Sequence, residues 1–399
     1  MASPVPDHIL PGCVWDHDFA SFLAEGDDPY LAGARLHERQ GPGLIWATSA
    51  AHGGPAWIFT HNATVEEGFA DFTKFSSKRS ANMAVMDDAW LLLPVEADRP
   101  DHRFYRGALH PFFTPSAMAR RNSAVQELCD QLIDGFIERR SCEFISEFSA
   151  ILPNAIVISL LGMPQDMLHH FLAWEEDIIH GATIDARRAA SESVLEYLKD
   201  FIAHGPENEL MHGIRSGMVA GRPFSAMEVL GTVYLLFVAG LDTVNSTLGW
   251  IMNYLAKDQA LQQRLREHPE LIPAAIEEFT RAFGVSAPSR TVAEDMVYHG
   301  VPMKKGDPIL LPTFIAGRDP HAWPDPHRID IDRRARHVTF GRGPHVCLGV
   351  HLAKREMRIM IEGFLGRMKN IHHPDGGRRD YHTTNTIGFD RLDLAWDPA

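Results

Sequence analysis

The stretch FGRGPHVCLG, Phe340 to Gly349, decides how this chain is read. It sets Cys347 in a glycine-rich loop just ahead of the run LGVHLAKREMRIMIEGFLGRM. In that run Ala353, Met357, Met360, Phe364 and Met368 recur at spacings of three and four, which predicts a long helix with an apolar stripe. A cysteine at such a helix entrance lies near unpaired N–H groups and the positive end of the dipole, and both favour thiolate over thiol. Gly341, Gly343 and Gly349 strip side chains from the surrounding backbone, so something flat and bulky can approach, and Phe340 supplies an aromatic wall. Packing, redox switching, nucleophilic attack and metal ligation all stay open on this loop alone.

The rest of the composition narrows the choice. Cys13, Cys129 and Cys142 are scattered without CxxC pairs, as expected in a reducing compartment, and read as small buried hydrophobes. The 399 residues are 45% hydrophobic, enough for a large core, and the net charge of −14 argues against general nucleic-acid binding. The opening MASPVPDHILPGCVWDHDF has no basic n-region and no apolar h-region, so it is read as neither signal peptide nor anchor. No uninterrupted apolar stretch reaches the ~18 residues a spanning helix needs. These observations predict a cytoplasmic protein with no membrane or nucleic-acid partner.

The first forty residues, rich in Pro, Gly and Asp, are expected to form an irregular lead-in. AWIFTHNATVEEGFADFTKFSS reads as a strand and then a short helix. A helical pattern runs from Asp101 to Gly162, broken at Pro115 and Pro153, with further helices across 164–181 and 188–204 and a loop-rich segment over 208–225. Ser225 and Glu228 fit a capping box at the head of a helix of roughly thirty residues, about 45 Å long and apolar nearly all round, which places it inside a large core. Gly240, Asp242 and Thr243, weak helix formers at its middle, predict a local opening there. IPAAIEEFTRAF is another helix, followed by short strands and turns from Thr291 to Pro312 and an irregular stretch, GRDPHAWPDPHRIDIDRRARH. One domain over 1–399 is expected, mainly α with a small β-rich part.

A thiolate in a bare, aromatic-flanked loop suits the axial ligand of a haem, and no Cys or His stands nearby at zinc spacing. Phe340-x-x-Gly343-x-x-x-Cys347-x-Gly349 resembles the haem-binding signature of the cytochrome P-450 superfamily, whose ligand is a Cys thiolate. Three further stretches resemble that family in the right order: DHRFYR with His102 and Arg106, AGLDT from Ala239 to Thr243, and EFTR from Glu278 to Arg281. The resemblance covers the chain from about Gly41 onward. It is closest to the soluble bacterial camphor-hydroxylating branch in YHGVPMKKGDPILLP, CLGVHLAKRE and WDPA.

That resemblance implies a triangular-prism fold with haem b held between the long central helix and the Cys347 loop. Cys347 would ligate the iron, Phe340, Gly341 and Gly349 would line the haem, and His102, Arg106, Arg290 and His345 would bind its propionates. Gly240, Asp242 and Thr243 would form the catalytic groove for O2, with Asp242 feeding protons. Glu278 and Arg281 share a helix face, and Arg328 is the expected third member of their structural network. No flavin or ferredoxin signature is present in the chain. The implied donor is therefore a [2Fe–2S] ferredoxin reduced by an FAD-containing NAD(P)H reductase, docking on a basic patch of Arg103, Arg106, Arg342, Lys354 and Arg355. In the pocket Trp90 stands where camphor enzymes carry a tyrosine. Ala81 replaces a large aromatic, Ser286 a valine, and Asn385 and Thr386 aliphatic residues, whereas Leu235 and Val238 stay aliphatic. The expected reaction is hydroxylation of an unactivated C–H bond in a small apolar cyclic substrate, a terpenoid or norisoprenoid other than camphor. The rival readings are a peroxide-driven peroxygenase or isomerase on the same haem, and a haem sensor or carrier without turnover.

Overall fold

The computed structural model describes residues 5–51, 54–78, 80, 91–180, 183–383 and 386–398. The helices that position the site are α1 (His102–Leu109), α2 (Asn122–Asp134), α3 (Ile151–Leu161), α4 (Leu168–His180), α5 (Ile184–His204), α6 (Glu209–Arg215), α7 (Ala226–Leu255), α8 (Ile272–Ala282) and α9 (Val350–Arg367). The main strands are β1 (Val14–Asp18), β2 (Leu44–Ala51), β3 (Gly54–Phe59), β4 (Phe75–Ser76), β5 (Ser141–Glu143), β6 (Ser289–Val292), β7 (Pro308–Leu310), β8 (Met368–His372), β9 (Arg379–Thr383) and β10 (Ile387–Pro398).

The capping box forms as expected: the Ser225 hydroxyl accepts from the Glu228 N–H at 3.2 Å, and the Glu228 carboxylate accepts from the Ser225 N–H at 2.6 Å. It starts α7, the axis of the molecule, which packs on α3, α4, α5, α6 and β10. Phe237, Leu248, Ile251 and Leu255 on it are fully buried. Among the described residues α7 is long and apolar enough to cross a membrane by length and composition, although Thr232 and Asp242 interrupt its apolar run. Its packing on five elements accounts for that apolar character as core burial.

A six-stranded sheet, ordered β1-β2-β3-β7-β6-β4, flanks this core. Trp46 of β2 opposes Trp57 of β3, and Ile309 of the parallel β7 lies on the other side of Trp57, so a second small core forms around these residues. A four-stranded sheet runs β8-β10-β9, with β5 also on β10. In its β9–β10 hairpin His382 opposes Gly388 and Thr383 opposes Ile387.

Three expectations are corrected. The first forty residues are not an irregular lead-in: they hold β1 and the short helices Phe19–Leu23 and Pro29–Ala34, capped by the carboxylates of Asp18 and Asp28. Segment 208–225 is not only loop, because the Asn208 side chain caps α6 by accepting from the Met211 N–H at 2.8 Å. Pro153 does not break a helix. A π-helical turn over Ile145–Ser149 precedes α3, and Pro153 sits in the first turn of α3, where a missing N–H costs little.

Candidate active site

The cysteine loop is built by its own backbone. The Phe340 carbonyl accepts from the Cys347 N–H at 2.7 Å, and the Val338 carbonyl accepts from the Gly341 N–H at 2.8 Å. Gly341 and Gly343 adopt φ of 70° and 64°, the left-handed region, and a Cβ at Gly343 would come within 3.1 Å of the Ala70 Cα. Nothing lies within 4 Å of a Cβ placed on Gly349, so the backbone beside the sulfur is bare. Cys347 is the one exposed cysteine, while Cys13, Cys129 and Cys142 are buried.

The sulfur is not the ready-made thiolate that its helix entrance suggests. Desolvation by the surrounding protein raises the Cys347 thiol above its ordinary value, although the side chain opens to the surface of its loop. The Gly349 and Val350 amides and the Arg106 charge pull it back only in part. Desolvation outweighs the helix terminus, and a cation bonded to the sulfur would favour the anion.

Around that loop four bases converge. The rings of His102 and His345 lie 4.2 Å apart between centroids. Burial, reinforced by neighbouring arginines, pushes His102 down to about 4 and His345 down to about 3, so both are neutral at neutral pH. Arg290 is 3% exposed and burial lowers it to about 10 against the opposing charge of Asp98. Burial lowers Arg106 as well. The His102 Nε2 is fully buried and finds no hydrogen-bond partner among the described residues. Buried donors left unpaired are costly, and this cluster suits a ligand that brings carboxylates of its own. With the open sulfur and the bare glycine backbone, the residues present fit a haem and its propionates.

On α7, Leu235, Val238, Ala239 and Thr243 form a stripe that is not fully covered, on a helix otherwise largely buried. The expected local opening of α7 is not there: the helix is unbroken from Ala226 to Leu255. The Thr243 hydroxyl donates back to the Ala239 carbonyl at 3.1 Å, and Thr247 donates to the Thr243 carbonyl at 2.7 Å, so the polar groups are satisfied along the helix itself. Gly240 has a packing reason. A Cβ there would sit 2.5 Å from Val157 Cγ2 on α3. Gly240→Ala is expected to cost about 1–3 kcal/mol through overpacking. Adding Val157→Ala should recover part of the loss, read as the denaturation midpoint at constant slope.

Asp242 is buried, and its carboxylate accepts from Ser246 Oγ at 2.9 Å and from the Thr386 hydroxyl. Sequence reasoning missed Glu175, which approaches from α4. Burial, and then the charge of Asp242, push Glu175 up to about 8, while the Asn154 amide donates to it at 3.1 Å. Glu175 thus keeps its proton in the folded state where the unfolded chain, near 4.5, has lost it. Folding stability should therefore fall as pH rises from about 4.5 towards 8, and Glu175→Gln should flatten that fall. Thermal midpoints across that range would show it.

Arg281 is fully buried and Glu278 nearly so. Arg281 donates to both oxygens of Glu278, at 2.8 and 2.7 Å, and to the carbonyls of Gly317, Pro326 and Arg328. The third side chain is not Arg328, which supplies only its carbonyl and is itself exposed. It is Arg333, whose Nε donates to Glu278 Oε1 at 3.2 Å. Position along the irregular stretch could not choose between the two arginines. The network is tied to the cysteine loop by Thr339, whose hydroxyl donates to the Thr280 carbonyl at 2.7 Å.

The anticipated basic patch does not assemble as one cluster. Arg106 is half-buried, and its charge acts on Cys347. Arg342 pairs with Glu66 at 3.2 Å, Lys354 pairs with Glu277, and Arg355 donates to Asn122. Arg103 is exposed, over the Phe104 ring. Lys354 and Arg355 do border a surface groove of about 610 Å³, together with His351, Arg358 and Glu362. Of the expected pocket residues, Leu235, Val238 and Ser286 are half-buried, and a β-bridge joins Ser286 to Thr386. The Thr386 hydroxyl is committed to Asp242. Ala81, Trp90 and Asn385 lie outside the described residues.

Among the described residues no cluster of His, Cys, Asp or Glu could hold a metal ion, so Cys347 stands without companion protein ligands. A lone cysteine in a bare glycine loop beside buried bases is the arrangement expected of a haem-thiolate protein. The cytochrome P450 family profile matches residues 138–389. The chain is 31% identical, over 99% of its length and 97% of the other's, to a probable cytochrome P450 127A1 of Sinorhizobium fredii. It is 30% identical to a steroid C26-monooxygenase of Mycolicibacterium smegmatis, over 76% of this chain and 79% of that one. Crystal structures of CYP101J2 and CYP101C1 each superpose with a TM-score of 0.87 at 27% identity, covering 99% of this chain and all of theirs. The chain belongs to the cytochrome P450 family. It is an O2-dependent monooxygenase related to the CYP101, camphor-monooxygenase-like branch.

Proposed function

We propose that this monooxygenase hydroxylates a small apolar cyclic substrate, a terpenoid or norisoprenoid, in the cytoplasm. It takes two electrons from a [2Fe–2S] ferredoxin that an FAD-containing NAD(P)H reductase keeps reduced. The observation that carries the reading is the uncovered face of α7. Leu235, Val238 and Ala239 present apolar surface immediately before the acid–alcohol pair Asp242 and Thr243. Haem b, held by Cys347 with His102, Arg106, Arg290 and His345 at its propionates, supplies O2 activation and oxygen insertion when bound.

The chain's own residues do the rest. The apolar face of α7 binds the hydrocarbon by excluding water and orients the C–H bond. The Ser286–Thr386 bridge sets a polar edge on that space. Asp242 holds the proton to be delivered, and Thr243 positions the alcohol through which it passes. The exposed cation of Arg103 and the groove beside Lys354 and Arg355 support an acidic partner docking near α9.

A panel of cyclic terpenoids and norisoprenoids should include compounds that shift the haem iron from low to high spin. A panel with no shift, alongside shifts by steroids or fatty acids, would overturn the substrate class. Turnover should require NADH, reductase and ferredoxin with catalase present, whereas peroxide-driven product formation alone would favour the peroxygenase reading. Thr243→Ala is expected to keep consuming NADH while most of the reducing equivalents leave as hydrogen peroxide. Full coupling in that variant would remove Thr243 from its role.

A further inference from the structure

Asp242 is joined to the surface through the C-terminal hairpin. Its Oδ2 accepts from the Thr386 hydroxyl. Thr386 Oγ1 lies 3.4 Å from His382 Nε2, and His382 Nδ1 lies 2.7 Å from Asp390 Oδ1. The His382 side chain is 9% exposed, and that of Asp390 is 48% exposed. Four residues thus span from a buried carboxylate on α7 to one in water. The backbone is shaped around them. Gly388 faces His382 across the hairpin, and a Cβ there would lie 2.9 Å from the imidazole Nε2 and 2.3 Å from Ser246 Oγ, the other partner of Asp242.

We propose that His382 supplies the proton that Asp242 delivers, through the Thr386 hydroxyl, and that Asp390 holds the ring for that transfer. This rests on the reading of Asp242 as the acid of the oxygen-activation pair. His382, Thr386 and Asp390 are positioning residues; none needs to touch substrate or haem.

The hydrogen-bond directions permit two states. An ionised Asp390 can only accept, so Nδ1 of His382 carries a proton in both. With the ring charged, Nε2–H donates to Thr386 Oγ, and the Thr386 hydroxyl donates to the Asp242 carboxylate. In the transfer the Thr386 O–H proton moves to Asp242 while the Nε2 proton moves to Thr386. The result is a neutral imidazole and a protonated Asp242, with the hydroxyl regenerated. The 3.4 Å separation is long for such a bond and has to shorten in the transfer. The ring is recharged when rotation about its Cα–Cβ and Cβ–Cγ bonds swings Nε2 away from Thr386 to take a proton from solvent at the half-exposed Asp390 end.

The surrounding charges favour the loaded state. Burial alone would lower His382. The hydrogen bond to Asp390 on β10, with the charges of Asp242 on α7 and Glu176 on α4, outweighs burial and holds the imidazole above its ordinary value. Glu175, also on α4, acts on Asp242 and stays protonated near neutral pH, so it adds little opposing charge there.

The test uses the holoenzyme. In the reduced, CO-bound form, the His382 ring resonances, assigned by their loss in His382→Gln, should titrate above the ordinary ~6.5 of histidine. Their midpoint should fall in Asp242→Asn and in Asp390→Asn. Turnover of the wild type should decline as pH rises through that midpoint. His382→Gln should be at least ~10-fold slower with a flat profile over the same range. Thr386→Val should behave like His382→Gln, and Thr386→Ser should restore the pH-dependent rate. A His382 midpoint at or below ~6.5 that ignores Asp242→Asn overturns the proposal. So does a His382→Gln enzyme with the wild-type rate and profile when Asp242→Asn is slow. If Asp242→Asn turns over normally, the acid reading itself falls and this proposal with it.

Discussion

Glu278→Ala is expected to destabilise the protein by about 3–5 kcal/mol, the range for breaking a buried ion pair by removing one partner. The carboxylate receives two bonds from Arg281, one from Arg333 and one from the Asp330 N–H. Its loss leaves a fully buried guanidinium with carbonyl partners but no counter-charge. The same deletion removes the bonds that tie Asp330 and Arg333 of the irregular segment to α8. Since α8 also holds Thr339 of the cysteine loop, haem retention should suffer together with stability. Urea unfolding of the holoprotein gives the first quantity and haem loss to apomyoglobin the second. The double replacement Glu278→Leu/Arg281→Met should be less damaging than Glu278→Ala, because it removes both charges. A loss below 1 kcal/mol in Glu278→Ala, the range of an exposed pair, would show that the network is not buried in solution.

Cys347→Ser is expected to abolish the haem-thiolate spectrum while leaving the apoprotein folded. The side chain is small, lies in an open loop, and the bond that holds the loop is made by the backbone N–H of residue 347. The reduced, CO-bound wild type should show a Soret band displaced far to the red, and the variant should not. Loss of an outer partner of a metal ligand already costs about 10–100-fold, so monooxygenase turnover should fall by more than about 100-fold. A variant that keeps the displaced band would end the assignment of Cys347 as ligand. The titration of the metal-free protein offers a second check. Because desolvation raises the thiol, the wild-type apoprotein should react with an alkylating agent more slowly than an ordinary free cysteine at neutral pH.

Motifs whose parts lie within a few residues were legible before any coordinates. The Ser225–Glu228 box, the three-residue spacing of Glu278 and Arg281 and the turn glycines Gly341 and Gly343 are local, and each appears where its chemistry requires. Local statistics also misled. The Pro- and Asp-rich opening looked irregular because Pro29 and Asp28 favour turns, yet the same residues start and cap a helix. Gly240, Asp242 and Thr243 looked like a break in a helix, but packing on α3 and back-bonded hydroxyls keep it continuous.

What the sequence by itself determined was the family, the order of helices around one buried apolar helix, and the glycine-rich loop that sets Cys347 before the last long helix. Those follow from periodicity, caps and spacings within single elements. Only the tertiary structure decided that Arg333 rather than Arg328 completes the buried network. Likewise, it alone showed that Arg106 lies half-buried beside Cys347 rather than in a surface patch, that desolvation raises the Cys347 thiol, and that Thr386 and His382 line up between Asp242 and Asp390. Each of these depends on which distant residues meet and how much water they lose. Thr386 and Asp242 are 144 positions apart, and no local propensity encodes either their meeting or the desolvation it imposes.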